Sequence, residues 1–145
     1  MKKILFAALL VIIGFGSMAA FNPVRENLVQ KFTELYPDAV QVTWIENSET
    51  YTVSFLEKGI RSTIIFASDG HLIRATRYYT VDYLPYYLVE AIRERYHDKK
   101  IYSVTEISYP GNIDYYIKLE DAKTWTTIKL DSEGDIKVLD KYRKA

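Results

Sequence analysis

Two stretches with helical spacing of apolar residues stand out in the chain, and a run of alternating residues follows each. Apolar side chains recur every three to four positions over Leu28–Tyr36 and again over Leu84–Tyr96, which predicts two amphipathic helices. Thr80 or Asp82 can cap the second helix, and Pro85 is tolerated because it lies in the first turn.

After each helix, four segments alternate between apolar and polar residues, as half-buried strands do. The predicted strands are Val40–Glu46, Tyr51–Glu57, Ile60–Ala67, His71–Tyr79, Ile101–Ser108, Asp114–Glu120, Thr124–Asp131 and Asp135–Asp140. Asp69-Gly70 and Glu133-Gly134 separate the last two strands of each set. They predict tight antiparallel hairpins, in which glycine adopts the positive φ that the turn requires.

The two halves also match each other as an internal repeat, with predicted pseudo-repeats 24–80 and 81–142. Residues 50–78 align without a gap on residues 114–142, at an offset of 64 residues (114 − 50). Identical pairs include Thr63 with Thr127 and Ile64 with Ile128. Chance similarity between two β-rich stretches is the alternative interpretation.

Alternation along the strands predicts which side chains share a face of the sheet. The predicted core face carries Tyr51, Val53, Phe55, Ile60, Ile64, Phe66, Tyr115, Ile117, Leu119, Ile128 and Leu130. The opposite face carries Thr52, Ser54, Arg61, Thr63, Ile65, Tyr116, Lys118, Trp125, Thr127 and Lys129. We therefore predict an α+β fold of two tandem α-ββββ repeats, with one long antiparallel sheet and both helices packed on one face.

The uncovered face is the predicted partner-binding surface. Its candidate residues are Arg61, Thr63, Ile65, Tyr116, Trp125 and Thr127. Tyrosine, tryptophan and arginine supply most of the binding energy in protein interfaces. Trp125 is the sharpest candidate because its repeat partner is Arg61, and a core position would stay apolar in both copies. An ordinary solvated face is the alternative, since threonine and tyrosine favour strands anyway.

The first residues have the three parts of a secretory signal peptide. Lys2 and Lys3 precede the apolar run Ile4–Phe15, and small residues then occupy positions 17 and 19. The run is shorter than the ~20 residues that span a bilayer. We predict a signal peptide over residues 1–19, cleaved after Ala19 or Ala20, and a periplasmic or secreted domain over residues 20–145. An uncleaved anchor is the alternative.

Composition and charge narrow the function further. The 145 residues predict one domain, and the absence of cysteine excludes disulfides, thiolate metal sites and a cysteine nucleophile. Nineteen basic and nineteen acidic residues cancel, and loss of the two N-terminal lysines leaves a net charge of −2. Arg61, Arg74 and Arg77 beside Tyr78-Tyr79 form the best nucleic-acid candidate. The negative balance and the predicted export argue against that partner.

Catalytic and metal-binding patterns are absent from the sequence. His71 and His97 lie in different repeats without a second ligand at metal-binding spacing. The acidic turn Asp131–Asp135 invites a calcium interpretation, but its glycine is fourth rather than sixth and a solvated hairpin explains it better. We therefore predict a protein that is not an enzyme and has no cofactor or metal.

A family resemblance rests on the order of several short motifs. They are Tyr36-Pro37-Asp38-Ala39-Val40, Trp44, Tyr51-Thr52-Val53-Ser54-Phe55, Ser68-Asp69-Gly70 and Leu84-Pro85. Together they resemble the β-lactamase-inhibitor-like, PepSY-like proteins, small exported proteins found mainly in Bacteroidetes-type bacteria. The resemblance implies the fold of the β-lactamase inhibitory protein, whose open sheet face grips a partner. That inhibitor is held by disulfides, and its contact residues have no match here, so no inhibitory activity is carried over.

Two functional hypotheses follow. The first is a non-enzymatic, monomeric protein-binding module, inhibitory or not, that presents its uncovered sheet face to a protein or peptide. The second is a carrier or sensor of a small ligand, with a tyrosine-lined pocket between sheet and helices. The well-filled apolar core favours the first.

Overall fold

A computed structural model describes residues 23–145, so the predicted signal peptide lies outside the described residues. The helices are α1 (Pro23–Leu35) and α2 (Tyr86–Arg95), with a short 3₁₀ turn at Val81–Tyr83. The strands are β1 (Val40–Glu46), β2 (Thr50–Glu57), β3 (Ile60–Ala67), β4 (Leu72–Tyr79), β5 (Lys100–Tyr109), β6 (Asn112–Glu120), β7 (Thr124–Asp131) and β8 (Ile136–Arg143). Neither helix in this range has the length and apolar character needed to span a membrane.

The strands form one antiparallel sheet in which each strand pairs with the next along the chain, from β1 to β8. Glycines with positive φ close the turns, as predicted: Gly70 at 91° and Gly134 at 93° follow strands β3 and β7. The β4–β5 pairing joins the two α-ββββ halves into a continuous sheet, with Tyr78 opposite Thr105. The predicted α+β fold is confirmed.

Both helices cover the same sheet face, each over its own half. Under α1, Phe32 packs against Val53, Phe55 and Ile64. Under α2, Leu88 belongs to a larger apolar cluster that also contains Ile92, Ile117, Leu119, Ile128 and Leu130. The core-face prediction is confirmed, with Phe66 partly rather than fully buried.

The start of the second helix differs from the prediction. Thr80 and Asp82 do not cap α2: the Thr80 hydroxyl donates to the Asp82 carboxylate, and a 3₁₀ turn follows. Pro85 takes the N-cap position of α2 with φ −51° and ψ 133°. Leu84, the residue before this proline, is extended (φ −76°, ψ 137°) and ends the 3₁₀ turn, because the proline ring clashes with a helical conformation of the residue before it.

The acidic turn after β7 behaves as a solvated hairpin. A carboxylate oxygen of Asp131 accepts hydrogen bonds from the backbone amides of Glu133 and Asp135, both at 3.0 Å. The hydrogen bond from the Asp135 amide is the largest influence that lowers the pKa of Asp131. The carboxylate therefore satisfies its own turn, as asparagine and aspartate commonly do.

A polar cluster fastens the turn before β5 to the turn between β6 and β7. The Lys99 ammonium contacts the Asp121 carboxylate and donates to the Thr124 hydroxyl at 3.0 Å. Asp121 also accepts backbone hydrogen bonds from Lys123 (2.7 Å) and Thr124 (2.6 Å). The hydrogen bond from Lys99 is the main reason that the pKa of Asp121 lies well below its usual range.

Replacing Phe55 with alanine tests the core. Phe55 is 4% exposed and meets Phe32 and Tyr36 edge-on or tilted, so Phe55→Ala should lower the free energy of unfolding by ~3–5 kcal/mol. Ile45→Ala on β1 is the control, because Ile45 is 60% exposed and should change stability by less than ~0.5 kcal/mol. Guanidinium unfolding measures both, and equal effects would contradict the face assignment.

The Asp121 cluster predicts a pH dependence of stability. A carboxyl whose pKa is lowered by folding stabilises the protein above its unfolded pKa of about 4, and this contribution is lost as pH falls. Asp121→Asn should therefore lower the melting temperature at pH 7, with the difference from wild type shrinking below about pH 4. Asp98→Asn in the adjoining turn is the control, and a difference that does not shrink in acid would contradict the prediction.

Candidate functional site

The six predicted binding residues all lie on the sheet face opposite α1 and α2, called the open face below. Cross-strand pairs fix this placement, because residues directly opposite each other point to the same side. Thr63 pairs with Ser54 and Thr76, and Tyr116 pairs with Thr105 and Lys129. The side chains of all six residues are partly or fully exposed. The predicted position of these six residues on the uncovered face of the sheet is therefore confirmed.

The six residues do not form one cluster. Arg61, Thr63 and Ile65 lie on β3, whereas Tyr116 lies on β6 and Trp125 and Thr127 lie on β7. Strands β4 and β5 separate the two groups, so the nearest backbones are about 14 Å apart at ~4.8 Å per strand. A partner that touches both groups must also contact β4 and β5.

The sequence prediction missed the residues that bridge the groups. Tyr78 and Thr105 lie between Arg61 and Tyr116, and these four form one row across β3 to β6. Thr76 and Ile107 form the next row. The alternation in β4 and β5 could have identified them, but their position between the groups depends on the β4–β5 pairing.

Trp125 is engaged by neighbours on the open face. The ammonium groups of Lys118 and Lys144 lie 4.7 and 4.8 Å from its ring centroid. The Tyr102 ring meets it at 80° with centroids 4.9 Å apart. Contacts of this kind stabilise by roughly 0.5–1.5 kcal/mol each. Trp125 therefore packs within the face as well as forming part of it.

Tyr116 lies beside a tight ion pair. The Lys129 ammonium is 2.8 Å from the Asp114 carboxylate and 5.8 Å from the centre of the Tyr116 ring. The hydrogen bond to Asp114 raises the pKa of Lys129. Tyr116 thus presents an aromatic surface next to two charged groups, Lys129 and Asp114, that are paired with each other.

The basic-aromatic group considered for nucleic acid is divided between the two faces. Arg61, Arg74 and Tyr78 lie on the open face, whereas Arg77 and Tyr79 point to the helix side. Successive residues on a strand must alternate in this way. The structure therefore does not assemble those residues into one surface.

On the helix side, a polar network that the sequence prediction missed lies where the halves join. The Tyr79 hydroxyl donates to the Glu106 carboxylate at 2.6 Å, and an Arg77 Nη lies 3.3 Å from it. Burial raises the pKa of the Tyr79 phenol far above its usual range, and the hydrogen bond to Glu106 is the second largest cause. Glu106 is 8% exposed, and its break in the apolar alternation of β5 is the sequence signal that could have revealed it.

A cavity of about 280 Å³ lies beside this network. Its lining comprises Tyr36, Phe55, Glu57, Ile60, Ser62, Ile64, Ala75 and Arg77. Phe55 and Ile64 belong to the cluster under α1, whereas Ile60 belongs to the cluster under α2. The cavity therefore marks the seam between the two apolar clusters. In residues 23–145, no group of three or more His, Asp or Glu side chains could hold a metal ion.

Because Trp125 and Arg61 have different surroundings, replacing each with alanine should change the free energy of unfolding by different amounts. Trp125→Ala should lower the free energy of unfolding by about 1.5–4.5 kcal/mol, because the ring loses Tyr102 and two ammonium contacts. Arg61→Ala should change it by less than ~0.5 kcal/mol, since its side chain is exposed. Urea unfolding of both variants measures this, and an unchanged Trp125→Ala protein would show that these ring contacts contribute nothing.

Comparison with solved structures identifies similar folds in Bacteroides. A BLIP-like protein from Bacteroides fragilis has a TM-score of 0.58 at 18% identity, over 85% of this chain and 88% of that chain. A DUF2874 family protein from Bacteroides ovatus has a TM-score of 0.58 at 19% identity, over 81% and 85%. A candidate periplasmic protein from Bacteroides eggerthii has a TM-score of 0.58 at 18% identity, over 86% and 90%.

A scan against protein-family models finds no match. A search of curated proteins also finds none. The structural likeness nevertheless covers most of both chains in each pair. The resemblance stated from the motifs is confirmed: the chain is similar to the BLIP-like proteins of Bacteroides and has their fold.

Proposed function

We propose that this protein is an exported, non-enzymatic module that binds another protein or peptide through its open face. One observation carries the proposal: α1 and α2 both lie on one side of the sheet, so the other side of all eight strands in residues 23–145 has no covering layer. Aromatic side chains that are exposed on so large a face, such as Tyr78, Tyr116 and Trp125, are typical of a site of interaction.

The size of the face suits a protein partner. Seven spacings of ~4.8 Å make the sheet about 34 Å wide, and eight-residue strands are about 26 Å long. The resulting area is on the order of 800 Å², which is what each partner contributes to a standard interface. Tyrosine, tryptophan and arginine at Tyr78, Trp125 and Arg61 are the residue types that dominate binding energy.

The similar structures support the proposal in two ways. One of them is described as BLIP-like and another as a candidate periplasmic protein. The periplasmic description agrees with the predicted signal peptide, and the BLIP-like description agrees with an open sheet face used for binding. At 18% identity these structures support only the fold of this chain. The proposed binding role rests on the open face itself.

Affinity capture tests the binding role. The protein, immobilised through its C terminus, is exposed to periplasmic extract of the producing organism, and the retained proteins are quantified by mass spectrometry. A specific partner should be depleted at least tenfold on Tyr116→Ala or Tyr78→Ala bait, because loss of an interface hot spot weakens binding by ~2 kcal/mol or more.

Tyr86→Ala is the matched control, because Tyr86 is a 75% exposed tyrosine on α2, away from the open face. Retention on this bait should equal retention on wild type. A partner that is lost equally on all three variants, or on Tyr86→Ala alone, would contradict binding by the open face. Circular dichroism of each bait confirms that the fold is unchanged.

The cavity at the seam favours a second candidate function, a carrier or sensor of a small ligand. Its volume of about 280 Å³ is near the lower end of ligand pockets. Half of its lining residues carry polar or charged groups (Tyr36, Glu57, Ser62 and Arg77), and the other half are apolar (Phe55, Ile60, Ile64 and Ala75). A small molecule that co-purifies with wild type, but not with the cavity-filling Ala75→Leu variant, would support this function instead.

A further inference from the structure

The positive charges of the open face are not matched by negative ones. Two ion pairs cancel internally: Lys129 with Asp114, and Lys144 with Glu120. Five further cations lie on this face, Arg61, Arg74, Lys100, Lys118 and Lys137, and none of them forms an ion pair with any residue in the range 23–145. Lys100 lies at the end of β5 and Lys137 on the edge strand β8, so Arg61, Arg74 and Lys118 are the three nearest the middle of the sheet.

The acidic residues that border the face do not neutralise these cations. Asp131 lies at the end of β7, opposite Asp114 and three strands from Arg74. Asp140 lies on β8 opposite Thr127, at the far edge from Arg61 and Arg74. The central strands β3 to β6 therefore carry unpaired positive charge, although the whole chain has a net charge of zero.

The spacing of the cations excludes a single small anion as the common ligand. Arg61 and Arg74 lie four residues apart in register, because Arg74 pairs with Ile65, which separates their backbones by about 14 Å. Lys118 lies three strands from Arg61 and one row along, roughly 16 Å away. Side chains stand approximately perpendicular to a sheet, so the three cannot converge on one carboxylate or phosphate.

Between the cations lies an uncharged centre. It consists of Thr76, Tyr78, Ser103, Thr105, Ile107 and Tyr116. A protein–protein interface has this arrangement, with aromatic and uncharged groups in the middle and charged groups around them. A polyanion such as nucleic acid would instead favour a continuous track of cations, which the uncharged rows interrupt.

We propose, as an extension of the proposed binding role, that the open face recognises an acidic surface of a folded protein. Carboxylates of that partner lie against Arg61, Arg74 and Lys118 and surround a less polar patch that packs on Tyr78 and Tyr116. Charge complementarity of this kind accelerates association and selects the partner more than it adds affinity.

Selection from a defined library of folded binders tests the proposal. A fibronectin type III library with randomised loops is selected against the purified chain at 150 mM salt. Clones that bind the open face should contain at least twice the Asp and Glu content of the unselected library in their loops. Their association rates should fall at least tenfold between 50 and 300 mM salt, because screening weakens electrostatic steering.

The double variant Arg61→Ser/Arg74→Ser should reduce the association rates of these clones at least tenfold. Lys31→Ser/Lys141→Ser is the matched control: it removes the same charge from exposed positions off the open face, and it should leave the rates within twofold of wild type. Thermal melting of both variants checks that the fold is intact.

The outcomes separate this inference from the binding role itself. Clones that lose binding with Tyr116→Ala but show no acidic enrichment overturn the acidic partner and leave the binding role standing. Clones indifferent to every open-face variant overturn both. Binding of a 20-nucleotide single-stranded DNA or of phosphatidylglycerol vesicles at 150 mM salt, lost in the arginine double variant, would show a polyanion or membrane site and overturn a protein partner.

Discussion

The architecture depends on a mismatch between the width of the sheet and the width of the helices that cover it. Eight strands make a layer about 34 Å wide, whereas α1 and α2, each about 10 Å in diameter, cover about 20 Å of one face. A two-layer fold of this shape leaves one face uncovered and places a central strip of the other face between the two helices. The open face, the cavity and the buried polar network all follow from this incomplete coverage.

The central strip explains why the apolar core is divided. Phe32 of α1 belongs to one apolar cluster and Leu88 of α2 belongs to the other. The strands between the two clusters carry polar side chains on the helix side. Glu106 is buried there but accepts hydrogen bonds from Tyr79 and Arg77, which offsets much of the cost of removing a carboxylate from water. The buried polar groups of the seam are therefore hydrogen-bonded, and the cavity lies beside them.

The repeat preserves the backbone while allowing the two copies to differ in surface chemistry. Arg61 and Trp125 occupy equivalent positions, yet the first is an exposed cation and the second is held by Lys118 and Lys144. The cluster around Asp121 likewise has no counterpart in the first copy, where Glu57 occupies the matching position. Core positions are constrained by packing in both copies, whereas positions on the open face are free to differ.

Alternation along the strands determined the two faces from the sequence alone, because a side chain's side of the sheet follows from local parity. Helical spacing likewise gave α1 and α2, and glycine turns gave the hairpins around Gly70 and Gly134. The β4–β5 pairing, which places Tyr78 and Thr105 between Arg61 and Tyr116, was decided by tertiary structure. So was the partnership of Tyr79 with Glu106, 27 residues apart. Local patterns carry no information on such pairings, because they arise when distant segments of the chain pack together.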